Sequence, residues 1–288
     1  MSKKVDFVCL GSVTNSRYLG QQIVHDRTRR VIRVSQSDLI TGLLEEWGML
    51  DCKTSLVPLP HNLNSLPPCS PNACPDIPDA DITLSYQCLV GSITYLAICT
   101  CLDLAYCTMA LGQHNASLTH AHLVVAKGVL RYLAGTVHLG LIFSTKNHHV
   151  PQSIQLHTSA CGLSDADWAS DESDRKSISS YCFFFHTSLV SWSARKQRTV
   201  STSSTESEYY ALANTMKEAI WIKLFLTIAK LHTSQLLPLE PSLRQSKRPP
   251  HCQLQFCFFT YETYRCMLPL HMRTHYKWFF SSTLDTDL

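Results

Sequence analysis

The chain has 288 residues, of which 45% are hydrophobic and 16% charged, so one or two globular domains can bury real cores and wholesale disorder is excluded. Lys plus Arg number 25 against 22 Asp plus Glu, a net +3 that announces neither a nucleic-acid nor a membrane partner by composition alone. Thirteen cysteines at irregular spacings, and an N-terminus from Met1 to Asp6 without an apolar core segment, argue against a disulfide framework and a secretory leader. Reduced thiols and an intracellular location, cytoplasmic or nuclear, are the expectation.

In chain order, Ile40 to Met49 places Ile40, Leu43, Leu44 and Trp47 on one face, which predicts a helix ending near Gly48. Pro58 to Asp81 holds seven prolines and reads as a surface connection. Cys88 to Gly112 is almost uninterrupted apolar sequence of roughly membrane-spanning length. Asp103 interrupts it, and no Lys or Arg lies between Thr54 and Ala126 to orient a span, so two buried helices meeting near Asp103 are expected instead. Ala121 to Leu133 offers Val124, Val125, Val129, Leu130 and Leu133 to a core, with Gly135 as its stop. His120 and His122 at its start read as surface or packing residues.

The texture then turns to β. Ile178 to His186 and Leu189 to Ala194 are aromatic and branched and predict a hairpin around Thr187-Ser188. Ser203 to Leu231 predicts the longest helix, opened by the capping-box pattern Ser203-Ser204-Thr205-Glu206. Beyond Leu231, Pro, aromatic, Cys and basic residues mix with no sustained period.

The sharpest chemical feature is Ser164-Asp165-Ala166-Asp167-Trp168, with Glu206-Ser207-Glu208-Tyr209 at the later helix start. Carboxylates leaving a strand and entering a helix are pieces of a site that holds Mg²⁺ for phosphodiester hydrolysis. Solvated turn and first-turn acids use the same residues, so spacing leaves both readings open. Arg175, Lys176, Arg195, Lys196 and Arg198 flank the hairpin and suit either phosphate contacts or a solvated edge.

An ordered set of motifs carries a resemblance. Ser164-Asp165-Ala166-Asp167-Trp168-Ala169, Asp174-Arg175-Lys176-Ser177-Ile178-Ser179, Val190-Ser191-Trp192-Ser193, Lys196-Gln197, Ser203-Ser204-Thr205-Glu206-Ser207-Glu208-Tyr209 and Lys217-Glu218-Ala219-Ile220-Trp221 together resemble the ribonuclease H region of copia-type LTR-retrotransposon polyproteins. Upstream, Tyr18-Leu19-Gly20, Asp26-Arg27, Leu89-Val90-Gly91-Ser92 and Leu130-Arg131-Tyr132-Leu133 are similar to the end of the reverse transcriptase that precedes it.

The resemblance implies an incomplete ribonuclease H-like α/β domain, a mixed sheet with helices, preceded by a mainly helical reverse-transcriptase segment. Its divisions are a palm and thumb end at 1–57, a Pro-rich loop at 58–82, a helical connection at 83–150, the truncated ribonuclease H-like domain at 154–231 and an unstructured or out-of-frame tail at 232–288. It also implies a nucleic-acid partner such as an RNA–DNA hybrid, other polyprotein segments as possible partners, no membrane, and Mg²⁺-dependent cleavage of RNA in the hybrid. Asp165 corresponds to the first-strand metal aspartate and Glu208 to the helix glutamate, with Glu206 as the alternative. The departures are as informative. The polymerase aspartates do not occur, Cys101-Leu102-Asp103 stands where the family reads Arg-Pro-Asp, and no Asp lies between Asp174 and Asp285 to supply a third carboxylate. The expectation is a non-cleaving remnant, with a binding remnant as the alternative.

The missing motif can be sought in a shifted frame. Arg244-Gln245-Ser246-Lys247-Arg248, written CGA CAA TCA AAG CGC, reads from its second nucleotide as Asp-Asn-Gln-Ser-Ala, the family's third ligand motif. Tyr261 to Cys266 yields Met-Lys-His-Ile-Asp-Val at the same offset. A competing reading of the tail takes Cys252, Cys257, His271 and His275 as a zinc site at near-finger spacing, against which Pro269 would disturb the finger helix.

Overall fold

The computed structural model describes residues 6–10, 13–59, 80–116, 118–144, 160–171, 173–185, 188–229 and 255–256. The chain divides into two units, Met1–Phe143 and Ser144–Leu288. The first opens with β1 (Asp6–Leu10), β2 (Val13–Tyr18), β3 (Gln21–Asp26) and β4 (Val31–Ser35), each antiparallel to the next, and β5 (Gly140–Ser144) completes the sheet beside β4. The sheet was not foreseen: the unit is still mainly helical, but four strands precede its first helix. The turns of the sheet explain it: Leu19 and Gly20 adopt φ of 51° and 77°, the left-handed pair that a type I′ hairpin turn requires. The Asp26 carboxylate accepts from the Thr28 and Arg29 amides, each at 2.9 Å, and closes the following turn. Every residue of β3 is half-buried, so the period-two alternation that discloses a strand is absent there.

Helices supply the core of this unit. In α1 (Ser37–Glu46), Ile40, Leu43 and Leu44 are buried and Trp47 packs against the same cluster. The helix stops where Gly48 was expected to stop it: the Met49 amide donates to Leu44 O at 2.8 Å and the Gly48 amide to Glu45 O at 3.0 Å, the paired bonds of a Schellman motif. A 3₁₀ turn containing Asp103, Leu102–Leu104, joins α2 (Ala80–Cys99) to α3 (Ala105–Gly112). By length and composition α2 could cross a membrane. Here Tyr86, Leu89, Ile93 and Leu96 bury one face of it completely, at about 1.5–3 kcal/mol for each large side chain. The Asp103 carboxyl accepts a hydrogen bond from the Tyr132 hydroxyl. Burial pushes its pKa upward.

The core face of α4 (His120–Ala134) also differs from expectation. Val124 is 69% exposed, and the buried stripe is His122, Ala126, Val129, Leu130 and Leu133. That set steps by three and four residues, and the row through Val124 falls outside it. His122 is fully buried, and its Nδ1 accepts from the Thr119 amide at 2.9 Å, taking the place a Glu holds in the usual capping box. Burial and the stacked His114 ring hold His122 down at about 4, against 6.5 ordinarily. Between those values the unfolded chain takes up a proton that the folded one refuses, so this unit loses stability as pH falls from 6.5 to 4, by about 3 kcal/mol at most. Native-state hydrogen exchange of the α4 amides, corrected for intrinsic rates, should show that loss; protection that stays constant across the window would exclude it.

The second unit is an antiparallel meander of β6 (Ala160–Asp167), β7 (Ile178–Phe185) and β8 (Ser188–Lys196), followed by α5 (Ser204–Ile228) packed on β6. β9 (Gln255–Phe256) lies antiparallel on the other edge of β6, giving the order β8-β7-β6-β9. All described pairs here are antiparallel, where a mixed sheet was expected; a parallel neighbour needs a crossover, and residues 230–254 after α5 lie outside the described residues. β9 falls in the tail expected to be unstructured and corrects that expectation for Gln255 and Phe256, while the zinc candidates Cys252, Cys257, His271 and His275 lie outside the described residues. Ser188 belongs to β8, opposite Phe185, rather than to the turn predicted for it.

Small residues let α5 approach the sheet. Ser207, Ala211 and Thr215 are buried, and the Thr215 hydroxyl donates to Ser164 Oγ at 2.8 Å. Gly162 is required for close approach: a Cβ there would lie 2.4 Å from the Phe183 ring. Gly162→Ala should destabilise this unit by about 1–3 kcal/mol in chemical denaturation, by forcing that buried ring aside; an unchanged midpoint would show that the ring moves freely.

Candidate functional site

The site forms where the end of β6 meets the first turns of α5. Along β6, Asp165 is 7% exposed, Ala166 is buried and Asp167 is half-buried. Ser203 caps α5, its hydroxyl accepting from the Glu206 amide at 3.1 Å. The reciprocal bond expected of a capping box is displaced by one residue: Glu206 Oε2 accepts from the Thr202 amide at 2.6 Å and from its hydroxyl at 2.8 Å. Glu206 is thereby exposed and committed to the loop. Glu208, two residues further into the helix, is 4% exposed and lies within electrostatic reach of Asp165.

Burial and like charge govern the pair. Burial first, then the charge of Asp167, push the Asp165 carboxyl well above the ordinary carboxylate range. Burial first, then the charge of Asp165, push Glu208 upward as well. The Ala166 amide opposes both shifts by hydrogen bonding to the ionised forms. Glu208 Oε2 is buried with no hydrogen-bond partner. A carboxylate oxygen left unpartnered beside a second buried carboxyl is costly unless a proton or a cation accompanies it. Among the described residues no group of three or more His, Cys, Asp or Glu is placed to hold a metal ion. Asp165 and Glu208 are brought together, and Glu206 is not brought to them.

The basic residues divide. Lys196 Nζ reaches Asp171 at 2.5 Å and Asp174 at 3.0 Å, and Lys176 reaches Asp174 at 3.1 Å. Those pairs clamp the loop between β6 and β7, and hydrogen bonds from Lys196 and Ser173 hold Asp171 down at about 2 despite its burial. Arg175, Arg195 and Arg198 are exposed, with no ion pair among the described residues. Sequence reasoning missed Gln197, whose amide nitrogen donates to Ser179 Oγ at 2.8 Å and to Ser207 O at 3.0 Å. It also missed that the Trp168 indole nitrogen donates to Ser201 O at 3.2 Å. The Lys196-Gln197 motif was the available signal for the first, and nothing in the sequence marked the second.

No family model matches the chain, and no solved structure does. It is 32% identical over 238 residues to the retrovirus-related Pol polyprotein from transposon TNT 1-94 of Nicotiana tabacum, an alignment covering 82% of this chain and 17% of that protein. It is 40% identical over 142 residues to the retrovirus-related Pol polyprotein from transposon RE1 of Arabidopsis thaliana, 49% of this chain and 9% of that protein. An uncharacterized mitochondrial protein of Arabidopsis thaliana is 37% identical over 188 residues, 65% of this chain and 71% of that protein.

If repulsion dominates the pair, removing one charge relieves it. Asp165→Asn and Glu208→Gln should each stabilise the second unit by about 1–2 kcal/mol in thermal melts in chelator, since each mimics a protonated partner. A loss of stability in both variants would show that the carboxylates are structural acceptors.

Proposed function

Because this chain belongs to the copia-type LTR-retrotransposon Pol polyproteins, we propose that residues 154–231 are a truncated ribonuclease H-like domain joined to the last part of a reverse transcriptase, and that the chain binds nucleic acid without cleaving it. The alignments span 17% and 9% of the TNT 1-94 and RE1 polyproteins, so the activities of the whole polyprotein belong to this proposal only as its background.

The observation that carries the reading is the buried Asp165–Glu208 pair with its unpartnered Glu208 oxygen. Two hard carboxylate donors fit one hydrated Mg²⁺, which is commonly held by one or two carboxylates with water and phosphate oxygens completing its shell. Asp165 and Glu208 would be its ligands, and a divalent ion held there would neutralise the pair and supply Lewis acidity toward a phosphate oxygen. Hydrolysis by two ions asks for acidic ligands from a further element, and the absence of any Asp between Asp174 and Asp285 supports binding over cleavage. Phosphate contacts fall to Arg175, Arg195 and Arg198, since Lys176 and Lys196 are held by Asp171 and Asp174.

The test is a labelled RNA–DNA hybrid incubated with the full chain and Mg²⁺. No cleavage above background is expected. Association should weaken with salt along a log–log slope of about −2 to −3, as three arginine contacts imply. Cleavage that disappears in Asp165→Asn would overturn the inactive reading, and salt-independent association would overturn the arginine contacts.

A further inference from the structure

Trp168 is the first residue past β6, three positions after Asp165, and is 45% exposed. Exposed tryptophans are ordinarily free to turn, but three constraints hold this one. Its indole N–H donates to Ser201 O at 3.2 Å, and Ser201 is fixed in turn by its hydroxyl bond to Gln197 Oε1 at 2.9 Å. The next residue, Ala169, adopts a φ of 49° in the left-handed region, where a Cβ costs about 1–2 kcal/mol. The Ala169 amide is tied to Ser177 Oγ at 3.0 Å, which keeps the strained turn in place. Strain held by surrounding bonds at an exposed aromatic ring is a feature of binding sites, and the folded core gains nothing from an indole left half in water.

The position of the ring matters as much as its rigidity. Ser201 stands two residues before the α5 cap, so the indole bridges the two elements that carry Asp165 and Glu208. Arg198 is exposed on the loop that supplies Ser201, and Tyr209, next to Glu208, is 55% exposed. A rigid apolar ring face, an unpaired arginine and a buried acidic pair with an orphan oxygen together suit a ligand with a flat aromatic face and an anionic backbone.

We propose that Trp168 is a stacking platform for an unpaired nucleobase, so that this chain prefers a hybrid with a single-stranded overhang to a blunt one. The inference rests on the nucleic-acid reading above and adds a residue and a preference to it. Stacking of one base on a preorganised ring is worth on the order of tenfold in affinity, and it tolerates any base because every base has a π-face.

The experiment measures anisotropy of a labelled blunt RNA–DNA hybrid and of the same hybrid with a short overhang, each titrated with the full chain in Mg²⁺. The wild type should bind the overhang form about tenfold more tightly; Trp168→Ala should lose that margin and keep its blunt-hybrid affinity, while Trp168→Phe should retain most of it. Trp221→Ala, on the exposed α5 surface, is the control and should leave the margin intact. A thermal melt of each variant separates loss of stacking from loss of fold, and a 5-iodouridine overhang should photocrosslink to Trp168 in the unaltered chain. Equal affinity of the wild type for both hybrids, or a margin that survives in a folded Trp168→Ala, overturns the platform and leaves the nucleic-acid reading standing. Failure to bind either hybrid overturns both.

Discussion

The second unit is organised around two carboxyl groups that have been taken out of water next to one another. Asp165 and Glu208 repel, each is desolvated, and one Glu208 oxygen has no donor. Such a pair persists only where the surroundings over-determine it. That support comes from the small buried residues Ser207, Ala211 and Thr215, which draw α5 onto β6, and from the Thr215–Ser164 hydroxyl bond. Gln197 adds the third element by tying β7 and α5 to the loop between β8 and α5.

The charged side chains around the junction have separate tasks. Asp171, Asp174, Lys176 and Lys196 neutralise one another and hold the loop after β6. Their mutual pairing leaves Arg175, Arg195 and Arg198 as the exposed cations flanking the hairpin among the described residues. Net charge at the level of composition conceals this division, because paired and unpaired cations count alike.

Several features were legible before any coordinates. The α1 stop at Gly48, the Ser203 cap, the hairpin and the Asp165 and Glu208 positions all follow from local chemistry or from motif order. Others were not. The strands before α1 were hidden because β3 is half-buried at every residue and carries no alternation. Val124 was misplaced because six valines and leucines in one helix admit more than one apolar stripe, and only the neighbouring helices select His122 and Ala126. The capping box was half right, since the Glu206 carboxylate reaches Thr202 when the loop before the helix offers a nearer amide.

What the amino-acid order determined by itself was local: where helices begin and end, which segments extend, and which residue types stand at the spacing of a metal site. It left Glu206 and Glu208 as alternatives, because two acids two positions apart point to different sides of a helix and the sequence does not say which side meets the sheet. Only the packing of α5 on β6 decided that Glu208 is buried against Asp165 while Glu206 turns to solvent. The same packing decided that Lys196 is spent on Asp171 and that Trp168 stands fixed with its ring exposed. Those outcomes depend on contacts between residues tens of positions apart, and burial and pairing are properties of the assembled neighbours, which no single stretch of sequence contains.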